Sequence, residues 1–212
     1  MASWKVMASW KVMASWDQGV RRAVAVAPLA LGLLLASPMR ALELRGATYF
    51  SQPPWTVGLM SYQTYTYQTR PEYYFTVSLD PQAGAGLGGL TISQTRGVDR
   101  WFEFSVDRTT AFLGGNPRRE GPKIPVKASF DQASRTFTIS FPEPVQPGQT
   151  VTVVLRPWTN PGLADTYMFE VTAYPAGPNP SPASLGYGTL RIYNVGDFKD
   201  RKSTRLNSSH AN

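Results

Sequence analysis

YYFTVSL, residues 73–79, places Tyr73, Phe75, Val77 and Leu79 on one side of an extended chain and Tyr74, Thr76 and Ser78 on the other. A period of two is what a strand with one face in a core requires, because successive side chains point to opposite faces of the pleat. The same alternation recurs along the chain. Inward positions are Phe102, Phe104 and Val106 in WFEFSV, Ile124, Val126, Ala128 and Phe130 in IPVKASF, and Phe137, Ile139 and Phe141 in TFTISF. Val151, Val153 and Leu155 in TVTVVLR and Tyr167, Phe169 and Val171 in TYMFEVTA follow the same rule. Shorter strands are expected at ATYF, LTIS and GTLRIY, which makes about nine.

Between these segments lie DPQAGAG, GGNPRREGP, DQASR, EPVQPGQ and PAGPNPSP, all rich in turn-forming residues. No segment shows a helical period. Closely spaced strands joined by Gly and Pro turns predict an all-β fold: a single antiparallel β-sandwich, immunoglobulin-like, with a barrel as the alternative.

The ends of the chain read differently from its middle. Residues 1–16 repeat MASWKV in tandem, and at 100° per residue Trp4, Trp10 and Trp16 would spread around a helix rather than form one face, so the tract reads as a duplicated upstream segment. Arg21 and Arg22 precede the apolar run Ala23 to Ala36, the layout of a secretory signal with cleavage expected after Ala41. That run is short for a bilayer core of about 30 Å, and Pro28 interrupts it, so no stable membrane insertion is expected after cleavage. At the other end, DRKSTRLNSSH matches the translation of a common sequencing adapter, and residues 200–212 read as a disordered tail derived from it.

The division is therefore 1–41 for repeat and signal, 42–199 for the sandwich domain and 200–212 for the tail. It changes the electrostatics. The whole chain carries a net charge of +7, but residues 42–199 hold 13 basic against 12 acidic residues, a balance of about +1. Nucleic-acid binding needs a clustered cationic footprint. The nearest approach, Arg118, Arg119, Lys123 and Lys127, is diluted by Glu120 and prolines, so nucleic acid is not an expected partner.

The chain has no cysteine, and its single histidine, His210, lies in the tail. Ser-His-Asp and Cys-His nucleophilic systems are thereby removed, together with the usual zinc and copper donor sets. No catalytic residue, metal ligand or cofactor is assigned. What remains is recognition chemistry. In VDRWFEFSVDR, Asp99, Trp101, Glu103, Ser105 and Asp107 share the parity opposite the core face, which sets Trp101, Glu103 and Asp107 as candidates for gripping a sugar, or the acids for coordinating Ca²⁺ through oxygen. In SYQTYTYQTRPEYY, Tyr62, Tyr65, Tyr67 and Tyr74 offer broad contact area at low entropic cost, with Tyr65 and Tyr67 the further candidates.

Three blocks carry a family resemblance: RGATYFSQPP (45–54), RTTAFLGG (108–115) and, most specifically, LRPWTNPGLADTYMFEVTAYPAGPNPSPASLGYGTLRIYN (155–194). Together they resemble a cyanobacterial exported family, domain of unknown function 2808. The resemblance implies an exported all-β domain, periplasmic or in the cell envelope, and supplies no catalytic residues. Glu170 departs from the small residue such relatives are expected to carry there.

Within the last block, Arg156, Asn160 and Pro161 follow a strand end and are expected to form a structural clasp, Arg156 bonding loop carbonyls or pairing with Asp165 or Glu170. The functional expectation is a non-catalytic envelope or periplasmic interaction domain whose partner is an envelope protein or a polysaccharide. A carbohydrate-binding module is the alternative, and a glycosidase-like enzyme, needing two acids about 5–9.5 Å apart in a cleft, is third.

Overall fold

A computed structural model describes residues 42–196 of the chain, Arg45 excepted. The readings for residues 1–41 and 200–212 lie outside the described residues. Strands β1 (Leu42–Leu44) and β2 (Ala47–Tyr49) pair as a small hairpin. In chain order there follow β3 (Val57–Met60), β4 (Tyr73–Ser78), β5 (Leu87–Arg96), β6 (Thr110–Leu113), β7 (Lys123–Ile124), β8 (Lys127–Asp131), β9 (Thr136–Val145), β10 (Thr150–Leu155), β11 (Thr166–Pro175) and β12 (Ala183–Arg191).

These ten make two antiparallel sheets, ordered β3-β4-β10-β6-β7 and β12-β11-β5-β9-β8. The fold is an immunoglobulin-like β-sandwich, with connections such as β4 to β5 and β10 to β11 crossing from one sheet to the other.

The alternation read from the sequence sets the core. Phe75, Val77, Val151 and Val153 of the first sheet and Leu90, Ile92, Ile139, Phe169 and Val171 of the second are all buried. Phe75 meets Phe169 edge-on across the interface, their centroids 5.6 Å apart. Each such side chain contributes about 1.5–3 kcal/mol by leaving water, and no disulfide is needed.

The sandwich edges are managed by two local devices. IPVKASF, expected as one strand, breaks at Pro125: Lys123–Ile124 pairs with β6 and Lys127–Asp131 with β9, so the chain changes sheets where proline removes a ladder donor. At the opposite edge Gly188 of β12 lies against Leu59 of β3, where an added Cβ would come within 2.9 Å of the leucine Cβ.

Among the described residues twelve strands thus form where the sequence outlines about nine. Val57–Met60 and Thr110–Leu113 are too short for their alternation to stand out. WFEFSV is not a strand: Phe104 makes one isolated bridge with Pro157, and a single 3-10 turn follows at Val106–Arg108. No helix among the described residues is long and apolar enough to cross a membrane.

A second, smaller apolar cluster sits on the outer face of the first sheet, formed by Tyr74, Phe112 and Val154, with Thr152 also buried. Tyr62 packs edge-on against Tyr74, and Arg118 of the β6–β7 loop lies 5.2 Å over the Tyr62 ring. Tyr74 is therefore packing rather than the exposed tyrosine its parity predicted.

Candidate functional site

Four segments converge at one end of the sandwich: the β3–β4 connection (61–72), the β5–β6 connection (97–109), the β10–β11 connection (156–165) and the residues after β12 (192–196). The β10–β11 connection is the centre of the arrangement. Its Asn160 is 1% exposed, with both the nitrogen and the oxygen of its side-chain amide hydrogen-bonded. The amide nitrogen donates to Gln63 O at 3.0 Å and Tyr65 O at 2.9 Å, and its oxygen accepts from the Tyr73 hydroxyl at 2.8 Å. Its backbone N–H donates to Gln68 O. A buried amide with all partners present fixes a loop, because any displacement strands several polar groups away from water.

Arg156 forms the second tie. Its Nε donates to Glu72 Oε1 at 2.8 Å, and Nη1 donates to the Arg108 carbonyl and to Thr110 Oγ1. The loop-carbonyl contact follows the sequence reading, but the carboxylate partner is Glu72 and not Asp165 or Glu170. Asp165 instead accepts from the Val98 amide, and Glu170 lies on β11 in register with Ser93 and Tyr187. Burial opposes ionisation of Glu72, but hydrogen bonds from Tyr74 and Arg156, with the charges of Arg156 and Arg108, hold its carboxyl below the usual range.

The β5–β6 connection is tied from both directions. Asp99 accepts from the amide of Trp101 at 2.9 Å and from that of Gly162 at 3.0 Å. From beneath, Arg135, at the β8–β9 turn with φ of 56°, is 3% exposed. Its guanidinium donates twice to Gln94 Oε1 and once to Phe102 O at 2.9 Å, and lies over the rings of Phe102, Phe104 and Phe130 at 4.7–5.4 Å. Burial and the neighbouring charge of Arg100 pull Arg135 below its ordinary pKa, and three aromatic faces supply part of the stabilisation a carboxylate would otherwise give. Nothing in the sequence marked this arginine; DQASR reads as an ordinary turn.

Upon this clamped base aromatic side chains are exposed, with Tyr67 resting against Gly162. Trp101 is 83% exposed, Tyr67 70% and Trp158 50%. Glu103 and Asp107 are exposed as expected, while Tyr65 is half-buried, its ring 6.4 Å from Tyr193. Pro161 is buried. Two members of the outward parity set turn inward: Ser105 is buried, its hydroxyl donating to Asp107 Oδ1, and Asp99 is partly covered. The parity argument fails at Ser105 because the segment enters a 3-10 turn at Val106, and at Asp99 because its carboxylate is drawn to the amides of Trp101 and Gly162.

Trp158 was not singled out from the sequence. The structure brings it beside the predicted residues: its N–H donates to Glu103 O at 3.0 Å, and its carbonyl accepts from the Arg70 amide at 2.8 Å. A shallow groove of about 490 Å³ lies elsewhere, on the outer face of the second sheet, lined by Gly89, Thr91, Ser140, Pro144 and Tyr174. Among the described residues no group of three or more acids or histidines gathers as a metal site.

Fold and site together define a β-sandwich domain with an interlocked loop end that displays aromatic side chains. The chain belongs to the family described as protein of unknown function (DUF2808), whose model matches residues 47–192. No curated protein sequence matches it.

Among solved structures, it is similar to an uncharacterized protein from Nocardia farcinica described as having an immunoglobulin-like fold. The identity is 14%, the TM-score 0.41, and 65% of this chain and 97% of that one are covered. The N-terminal domain of the Streptococcus gordonii adhesin Sgo0707 aligns at 12% identity and a TM-score of 0.43, over 69% of this chain and 34% of that one. A collagen-binding domain from a Staphylococcus aureus adhesin aligns at 7% identity and a TM-score of 0.37, over 68% and 100%. At these levels the likeness concerns chain architecture and not function.

Proposed function

We propose that this protein is a non-catalytic interaction domain, exported to the periplasm or cell envelope of a cyanobacterium, and that its loop end is the binding surface. The observation that carries the reading is the contrast within a few residues between a buried, hydrogen-bonded base (Asn160, Arg135) and the exposed rings of Trp101, Tyr67 and Trp158. A rigid base beneath exposed aromatic side chains lowers the entropy lost when a partner is engaged. The acids nearby serve the loop's own structure, Asp99 accepting from two backbone amides and Asp107 from Ser105, which favours recognition over the paired chemistry of a glycosidase. The near-neutral balance of residues 42–199 argues against nucleic acid as the partner.

The test is co-sedimentation of the full chain with isolated cell envelopes. Retention is expected to fall in Trp101→Ala and Trp158→Ala and to persist in Trp55→Ala. Trp55 is 84% exposed but precedes β3 and lies beside Leu79–Pro81, at the opposite end of the sandwich. Equal retention of all three variants would place the binding surface elsewhere.

A further inference from the structure

Bridges Phe104↔Pro157 and Thr69↔Thr159 are both antiparallel, so residues 156–160 run as the middle line of a three-segment ribbon between 103–105 and 68–70. In this register Glu103 stands opposite Trp158 on one side and Arg70 opposite it on the other. All three side chains are exposed. Trp101 lies two residues from Glu103 on the same exposed side, with Phe102 buried between them. It thus adds a second exposed indole to the connection that carries Glu103. The result is one indole, Trp158, flanked by a carboxylate and a guanidinium, with a second exposed indole, Trp101, two residues along the chain from the carboxylate.

We propose that this row binds an uncharged, extended polysaccharide of β-linked pyranoses, an inference that rests on the loop end being the interaction surface and names its ligand. Three features select the class. First, a pyranose with equatorial substituents presents a face of C–H groups, which an indole covers with its apolar surface. A β-linked chain repeats that face along an extended line, which suits two exposed indoles carried by adjoining connections.

Second, ring hydroxyls both donate and accept. Glu103 supplies acceptors only and Arg70 donors only, so the row holds both halves of the complement. Third, Glu103 and Arg70 flank the same tryptophan with opposite charges that offset one another. That pair gives a polyanion no net attraction, whereas an uncharged chain pays no penalty for it. Trp101 and Trp158 carry the stacking, and Glu103 and Arg70 set orientation.

The experiment titrates hexasaccharides of cellulose, chitin, mannan and xylan into the full chain by calorimetry, with polygalacturonate as the charged comparison, and repeats the envelope sedimentation after protease digestion of the envelopes. At least one uncharged hexasaccharide is expected to bind, with affinity reduced roughly tenfold by Trp101→Ala or Trp158→Ala and unchanged by Trp55→Ala. Glu103→Gln is expected to weaken binding less than either tryptophan variant, and circular dichroism should show all of them folded, since each altered side chain is at least half-exposed or on the surface.

Heat from none of the four, tighter binding of polygalacturonate, or envelope retention that disappears with protease would overturn the polysaccharide assignment. Retention that depends on Trp101 yet needs envelope protein would leave the interaction reading standing with a protein partner. Loss of retention by the unaltered chain itself would remove both.

Discussion

The Tyr73 hydroxyl donates to Asn160 Oδ1 at 2.8 Å, joining residues 87 positions apart where both are buried. Tyr73 opens β4 in the core, its ring edge-on to Phe104 and Phe169, and Asn160 lies at the centre of the loop clasp. The contact transmits the rigidity of the sandwich to the loops that carry the aromatic surface. Burial pushes the Tyr73 hydroxyl well above the ordinary tyrosine pKa, so it stays a donor at any physiological pH.

Removing either partner is predicted to have unequal effects. Tyr73→Phe leaves one acceptor without its partner and should cost about 1–2 kcal/mol. Asn160→Ala leaves the Tyr73 hydroxyl and two backbone carbonyls unpaired and should cost about 3 kcal/mol or more. Urea denaturation of the two variants and their combination measures this. A double variant no worse than Asn160→Ala alone would confirm that they act as one unit.

Glu72 makes the protein sensitive to acid in a defined direction. Its folded carboxyl titrates below its ordinary 4.5, so as pH falls through 4.5 and below the unfolded chain takes up a proton before the folded one does. The contribution is present above the unfolded pKa and is lost as pH drops through the folded value. In Glu72→Gln the melting temperature should be lower at neutral pH and should decline less steeply over that acid range. Parallel melting curves of the two proteins would refute the assignment.

Arg135 is predicted to control the β5–β6 loop without touching any ligand. Arg135→Ala removes the donor to Phe102 O and both donors to Gln94, and opens a gap among three phenylalanine rings. The expected cost is about 3 kcal/mol or more. Limited proteolysis should then cut first near Asp99–Glu103 while the strands remain protected. Unchanged cleavage kinetics would show that the loop is held by Asp99 alone.

How much was legible in the sequence follows from how local each feature is. The period of two in YYFTVSL, TFTISF, TVTVVL and TYMFEVTA reports which side chains face the core, because within a strand orientation depends only on neighbouring residues. Exposure of Trp101 and Glu103 followed from the same parity, since Phe102 and Phe104 still anchor inward even without a ladder. Parity failed at Ser105, where the chain turns, and at Tyr74, whose face is covered by a loop from elsewhere in the chain.

What the chain's own pattern determined, then, is the all-β class, the inward set of apolar residues, and the absence of cysteine. Only the tertiary structure decided that Arg156 would find Glu72, 84 positions away, that Arg135 would be buried under three rings, and that Trp158 would stand between Glu103 and Arg70. Those partners come from separate connections that meet because strand pairing brings their ends together. No periodicity within a single segment encodes which remote segment will lie beside it.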